Sequence, residues 1–147
     1  MRRRDRGRWL LSGVAVLTAA GGFLADWNRT HLFNPRWPPH AKFHDDWSIL
    51  LGTGLGSVAA YLLWRRGADP ELELALGAGL PALYWAGQAG SHFFPGAAGM
   101  ESEFPDLVPC VAGIRLNEAT GSALMLTLTA TGFALAHLEQ SKVPSRG

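Results

Sequence analysis

The sequence predicts an all-α fold, a four-transmembrane-helix antiparallel bundle with two ordered outer loops. Four windows are nearly free of charge, and each is about long enough to cross a hydrocarbon core of roughly 30 Å as a helix. A soluble bundle of this size would carry charge on the outer face of every helix. The windows are Trp9–Ala25, Trp47–Trp64, Leu74–Gly90 and Ala119–Ala136.

The first helix is expected over about residues 8–27. The preceding run MRRRDRGR resembles the positive n-region of a signal peptide. The apolar run is long for the core of such a peptide, and no small-residue cleavage site is obvious before Asp26 and Trp27. We therefore expect a retained helix, in a single integral membrane domain that comprises residues 1–147.

The second helix is expected over about residues 39–66. Proline is well tolerated at the first helical position, so Pro39 is a suitable start. The helix would be longer than a membrane requires, and its first two turns would stand at or above the outer interface. Gly52 and Gly56 form a pair of small residues that permits close helix approach, within the bundle or in a homo-oligomer.

The third and fourth helices are expected over about residues 70–94 and 117–140. Acidic residues in the first turn of the third helix suit the helix dipole, and the sequence Phe94-Pro95-Gly96 would end it. Asn117 is a suitable N-cap for the fourth helix. The tail, residues 141–147, is expected to be disordered.

The basic residues lie in blocks that predict the orientation in the membrane. These blocks are Arg2, Arg3, Arg4, Arg6 and Arg8, then Arg65 and Arg66, then Lys142 and Arg146. The positive-inside rule places both termini in the cytoplasm and the two long loops outside. The Ala/Gly/Leu/Arg-rich composition suggests a GC-rich bacterium and hence its inner (plasma) membrane. A net charge of +1 indicates no attraction to nucleic acid.

A polar, proline-rich segment between the first two helices holds three of the five histidines. His40 and His44 are four residues apart, so a helix would place both imidazoles on one face. That spacing suits two ligands of one metal ion or a proton relay. Asp45 and Asp46 follow directly and would orient the rings as hydrogen-bond acceptors.

Further polar residues are expected at the same side of the membrane, from the third and fourth helices, and could converge on one cavity. The candidate catalytic residues are His40, His44, Asp45, Asp46, His92 and Glu118. The candidate substrate-binding residues are His31, Asn34, Trp37, Trp85, Gln88 and Ser122. No cofactor is predicted, but a divalent metal is possible, with the candidate ligands His31, His40, His44 and His92.

A purely structural interpretation of the same residues is also open. Tryptophans such as Trp27 and Trp47 are typical interfacial anchors. Histidines near the interface are often simply solvated, and Asp45 and Asp46 could be a solvated helix start.

The run THLFNPRWPPHAKFH, residues 30–44, resembles the signature of a family of small four-helix membrane proteins from bacteria and fungi. That resemblance implies the four-span layout but no established activity. In layout alone, the chain is also similar to DoxX-like proteins and to emopamil-binding (sterol isomerase-like) membrane proteins. Those families place a few histidines and acidic side chains in a helical pocket open to lipophilic molecules, but none of their catalytic motifs is found in this chain.

The leading functional expectation is a membrane-embedded enzyme that performs acid/base chemistry on a lipophilic small molecule. The reaction would be an isomerisation, a cyclisation or a related rearrangement, with a histidine of the His40/His44 pair as base or acid. His92 or Glu118 would handle the opposite proton. A His-ligated metalloprotein with a redox or hydrolytic role is the first alternative. A non-enzymatic membrane subunit or scaffold is the second.

Overall fold

The computed structural model describes residues 5–141, in which the chain folds into four long helices. They are α1 (Arg6–Asp26), α2 (Pro39–Trp64), α3 (Pro70–Ser91) and α4 (Glu118–Ser141). Each helix packs against its neighbours in the order α1–α2–α3–α4, α4 closes the ring against α1, and α1 also touches α3 across it. Sequence neighbours run antiparallel. The predicted all-α fold with four helices is therefore confirmed.

The helix ends follow the proline and capping signals. Pro39 and Pro70 occupy first positions of α2 and α3. The Asn117 side chain accepts a hydrogen bond from the Thr120 N–H at the start of α4. Helix α3 ends at Ser91, three residues before the predicted end, because the following N–H groups bond within turns. Ser141, the first residue of the predicted tail, is the last residue of α4. The rest of that tail, residues 142–147, and the arginines at positions 2–4 lie outside the described residues.

Three of the helices in the described part of the chain are long and apolar enough to cross a membrane. They are α1, α2 and α4. Helix α3 has 22 residues but is not among them; it carries Glu71 and Glu73 in its first turn, and Pro81 and Gln88 further along. The composition and length of the helices are consistent with a membrane protein.

Small residues let α1 approach two neighbours at backbone distance. A Cβ atom at Gly56 of α2 would collide with the backbone of Ala15 and Ala19 in α1. A Cβ atom at Gly7 of α1 would likewise collide with the backbone of Ala136 in α4. Such close contacts are how helices associate where no hydrophobic effect drives them together. Gly7 and Gly56 are therefore packed inside the bundle.

An ion pair between an exposed arginine and a buried glutamate ties α2 to α3. It lies at the end of the bundle that holds Arg6 and Ser141, here called the terminal end. Glu73 is buried, and its Oε1 lies 2.6 Å from Nε of Arg65. The Gly67 N–H donates to the other carboxylate oxygen at 3.3 Å. A buried carboxylate is tolerated only when paired and hydrogen-bonded in this way.

Two loops cover the opposite end, here called the loop end. The first, between α1 and α2, consists of successive turns. The second contains two short 3₁₀ turns and a hairpin of β1 (Cys110–Val111) and β2 (Ile114–Arg115). Ala112 and Gly113 between the strands have φ of 51° and 81°, as a two-residue hairpin turn requires. Arg36 links the loops, since it pairs with Glu103 at 3.6 Å.

The close contact at Gly56 gives a stability prediction with an internal control. Gly56→Ala should destabilise the protein by about 1–3 kcal/mol, because the new methyl group overpacks the α1 backbone. Gly54→Ala should be neutral or slightly stabilising, because nothing lies within 4 Å of its Cβ position. Unfolding of both variants by SDS titration in mixed micelles measures the difference. Equal stabilities would contradict the packing described for α1 and α2.

Candidate functional site

A cavity of about 590 Å³ opens at the loop end and receives residues from all four helices and both loops. Its walls are mainly apolar, with Leu17 and Gly21 of α1, Leu124 and Met125 of α4, and Val108 of the second loop. A volume of this size holds a drug-sized molecule. The two loops, far apart in sequence, therefore form one site together with the helices.

Three carboxyl groups and one imidazole line this cavity, each from a different segment. They are Asp26 at the end of α1, His31 in the first loop, Asp45 of α2 and Glu118 of α4. Asp26 lies close enough to the other three for their charges to act on it. Three carboxyl groups and one imidazole thus meet in a largely apolar cavity, where ionisable groups are costly and by default functional.

Hydrogen bonds in the first loop determine the tautomer of His31. The backbone N–H groups of Thr30 and His31 donate to Asn28 Oδ1, at 2.8 and 3.3 Å, which establishes the orientation of the Asn28 amide. The Thr30 hydroxyl then donates to the same oxygen at 2.6 Å. Because a hydroxyl has one proton, Thr30 Oγ1 can only accept from His31 Nδ1, 2.9 Å away. His31 Nδ1 therefore carries a proton.

The remaining ring nitrogen of His31 points to Asp26. Nε2 lies 3.7 Å from Asp26 Oδ1, with both side chains about one-fifth exposed. The edge of Trp37 packs against the imidazole, with ring centroids 5.5 Å apart. In the neutral ring with Nδ1 protonated, Nε2 carries the lone pair and can accept a proton. The nearby Asp26 carboxylate would stabilise the resulting imidazolium.

Two carboxylate oxygens in the cavity wall are buried without a hydrogen-bond partner among the described residues. Glu118 Oε1 accepts from the Met100 N–H at 3.0 Å, but its Oε2 has no partner, and neither has Asp45 Oδ2. An unsatisfied buried acceptor costs about 1–3 kcal/mol. A ligand with hydrogen-bond donors would satisfy both oxygens.

Glu101 of the second loop lies next to Glu118. The two side chains approach each other across Gly99, where a Cβ atom would meet both carboxylates. The pKa of Glu101 is lowered, mainly because its own backbone N–H, and then the Asn117 amide at 2.9 Å, bond to its carboxylate. Glu101 therefore places another carboxyl group next to Glu118 without lining the cavity.

Deeper in the cavity, neutral polar side chains form hydrogen bonds between helices. Trp85 Nε1 donates to Thr18 Oγ1 at 2.8 Å, and Ser122 Oγ donates to Gln88 Oε1 at 2.8 Å. Of the predicted substrate-binding residues on these helices, Trp85 and Gln88 line the cavity, and Ser122 is buried behind Gln88. These bonds satisfy the Trp85 indole N–H and the Gln88 amide oxygen.

The remaining predicted residues lie elsewhere. His40, His44 and Asp46 are exposed on α2 and do not line the cavity. The helical phase explains this placement, because the buried stripe of α2, continued backwards from Ile49, reaches Asp45 and not the two histidines.

His92 follows α3, half-buried, and acts on Glu101 by charge without reaching the cavity. Asn34 is buried in the first loop, where it accepts from the Arg36 N–H and donates to the Thr30 carbonyl. It therefore shapes the loop that carries His31. Within residues 5–141, no group of three or more His, Cys, Asp or Glu side chains is arranged to hold a metal ion.

Two titratable side chains of the cavity, those of Asp26 and Tyr84, are absent from the predicted site. Asp26 adjoins the polar segment in the sequence, and an ionisable residue at the end of an apolar helix is itself a functional signal that could have identified it. Tyr84 also lines the cavity. Its neighbour Trp85 was predicted, and nothing in the spacing of the sequence separates the roles of the two aromatic rings.

The chain belongs to the family of unknown function DUF6640, whose family model matches residues 10–137. No curated protein and no solved structure matches it. Membership of an uncharacterised family is thereby confirmed. The similarity in layout to DoxX-like and emopamil-binding proteins stays a prediction.

The hydrogen-bond chain of the first loop predicts the tautomer of His31 under conditions in which the ring is neutral. In ¹⁵N NMR spectra of labelled protein, His31 should show a protonated Nδ1 and an unprotonated Nε2. Thr30→Val removes the accepting hydroxyl at nearly constant volume and should produce a mixture of tautomers. His137, exposed on α4, serves as the internal reference. A protonated Nε2 in the neutral wild-type ring would contradict the assignment.

Proposed function

We propose that this member of DUF6640 is a four-span membrane protein that performs acid/base chemistry on a lipophilic small molecule bound in the cavity. The observation that carries the proposal is His31, held as one tautomer beside Asp26 in a cavity with mainly apolar walls. Apolar walls suit a lipophilic substrate, and a few converging polar groups orient it.

The base in this proposal is His31 rather than the His40/His44 pair. Its Nε2 takes a proton from the substrate, and the carboxylate of Asp26 stabilises the imidazolium. Glu118, on the α4 side, is placed to deliver a proton to another atom of the substrate. Removal of one proton and return of another leave the atom count unchanged, as isomerisation or cyclisation requires. Asp45 accepts a hydrogen bond from a polar group of the substrate.

The membrane placement follows from the outer surface of the bundle. Helix α3 closes the ring between α2 and α4, and it exposes Leu72, Leu76 and Leu83 on its outside. These side chains support α3 as the fourth span. Basic residues cluster at the terminal end, so the positive-inside rule puts that end in the cytoplasm. The cavity then opens toward the outer leaflet of, we infer, a bacterial inner membrane.

The alternatives have less support from the geometry. For a scaffold, small-residue faces would be free to bind a partner helix, but Gly7 and Gly56 already pack within the bundle. For a four-histidine metal centre, the ligands would have to meet, but His31 lies in the cavity and His40 and His44 lie on the exterior.

Deuterium incorporation tests the proposed chemistry even while the substrate is unidentified. Purified protein in nanodiscs is incubated in D₂O with a lipid extract of its own membrane, and mass spectrometry detects compounds that gain deuterium. His31→Asn keeps a donor near Thr30 but removes Nε2, so labelling should slow by about 10²-fold or more.

The matched control is His137→Asn, far from the cavity on α4, which should label at the wild-type rate. Labelling that is equally fast in His31→Asn would remove His31 from the chemistry. Binding of a lipophilic compound by the wild type without any labelling would make the protein a carrier rather than an enzyme.

A second pair of variants tests whether the cavity is the binding site. Gly121 lines the cavity and has nothing within 4 Å of its Cβ position, so Gly121→Leu should fill the cavity without a clash. Gly54→Leu adds the same side chain at an equally open position outside the cavity. Both variants and the wild type are incubated with the lipid extract, repurified and analysed by mass spectrometry. We expect Gly121→Leu alone to retain no lipophilic compound, at a similar unfolding temperature. Retention of the compound in both variants would place the binding site elsewhere.

A further inference from the structure

A second cluster of histidines lies on the exterior of α2, outside the cavity. His40 and His44 are both exposed, and their Nε2 atoms face each other at 3.1 Å. They occupy the first two turns of a helix that starts at Pro39, one turn apart on the same face. The backbone therefore presents the two nitrogens to one point in space.

Phe43 lies beside both imidazoles. Its ring is parallel to that of His40, at 6° and 6.2 Å between centroids, and meets His44 edge-on at 5.6 Å. Aromatic contacts of this kind limit the rotation of the imidazoles. The two rings are thus held in their relative position before any ligand arrives.

The distance between the two nitrogens suits coordination of a single metal ion by both. With metal–nitrogen bonds of about 2.0–2.1 Å, nitrogens 3.1 Å apart subtend an angle of roughly 100° at the metal. That angle lies between the about 90° of square-planar or octahedral coordination and the about 109° of a tetrahedral site. Asp46, the exposed carboxylate two residues after His44, adds negative charge that favours a cation.

We propose that His40 and His44 form a two-point binding site for a divalent transition-metal ion of the imidazole-preferring class, Cu²⁺, Ni²⁺ or Zn²⁺. Water fills the remaining coordination positions, because both rings are exposed. The site is independent of the cavity and of the chemistry proposed for it.

The competing interpretation is a hydrogen bond between the two rings, in which one Nε2–H donates to the other nitrogen. Metal binding requires both Nε2 lone pairs, so the donor ring must shift its proton to Nδ1. The shift needs no net loss of a proton. Solvent exposure of both rings permits it.

Copper titration of the intact protein distinguishes the two interpretations. The protein carries no polyhistidine tag and has Cys110→Ser throughout, because Cys110 is exposed and a free thiol would bind copper. We expect one Cu²⁺ per chain, with two imidazole nitrogens in the electron paramagnetic resonance spectrum. His40→Ala and His44→Ala should each weaken binding by about 10²-fold, since the second ligand acts at high effective concentration. The double variant should be little weaker than either single variant.

A variant with the same number of histidines is the control. His40→Ala/Asp46→His leaves two histidines on α2 but two residues apart, where they do not share a face. It should bind as weakly as the single variants, whereas His137→Ala should bind like the wild type. Equal affinity in the rearranged variant, or a wild-type spectrum with fewer than two nitrogens, would overturn the proposal and leave a hydrogen-bonded pair. Circular dichroism verifies that each variant keeps its helices.

Discussion

The backbone contacts of α1 with α2 and α4 determine the shape of the bundle. At Gly7 and Gly56 the helix backbones meet without intervening side chains, so α1 packs closely against both α4 and α2. Nearer the loop end, Gly21 faces open space and the aromatic rings of Tyr84 and Trp85 enter the wall. Glycine thus permits close helix contacts at Gly7 and Gly56 and leaves an open cavity wall at Gly21.

The buried carboxylates at the two ends of the bundle also have different hydrogen-bond surroundings. At the terminal end, the carboxylate of Glu73 is fully satisfied by Arg65 and by the Gly67 N–H, as a structural ion pair must be. At the loop end, Asp45 and Glu118 each keep a buried oxygen without a partner among the described residues. Those two oxygens are therefore open to a hydrogen-bond donor, whether water or a ligand supplies it.

The helices could be predicted from the sequence because apolar windows, prolines and glycines act locally. The placement of the histidines could have been predicted only in part. The phase of α2 follows from its buried residues, and continuing that stripe backwards from Ile49 by four residues selects Asp45 and turns His44 outward. The spacing of His40 and His44 by itself shows that they share a face, but not which way that face points.

The role as a base that we propose for His31 could not be predicted from helical periodicity. It depends on side chains of Asn28 and Asn34 that bond to the backbone of an irregular loop, and turn chemistry of that kind has no periodicity to read. The contact between the two loops is equally non-local, since Arg36 meets a second-loop glutamate far along the chain. Predicting it requires the packing of all four helices.

The histidines at the loop end illustrate how the surroundings of an imidazole decide its use. Around His31, one nitrogen is occupied by Thr30 and one is left free beside a carboxylate, which is what single-site proton transfer needs. Around His40 and His44, two like nitrogens face each other in contact with solvent, an arrangement in which neither ring has a dedicated carboxylate partner but both can share one metal ion. The proposed proton transfer and the proposed metal binding therefore call for different arrangements, one around His31 in the cavity and the other at the exposed His40/His44 pair.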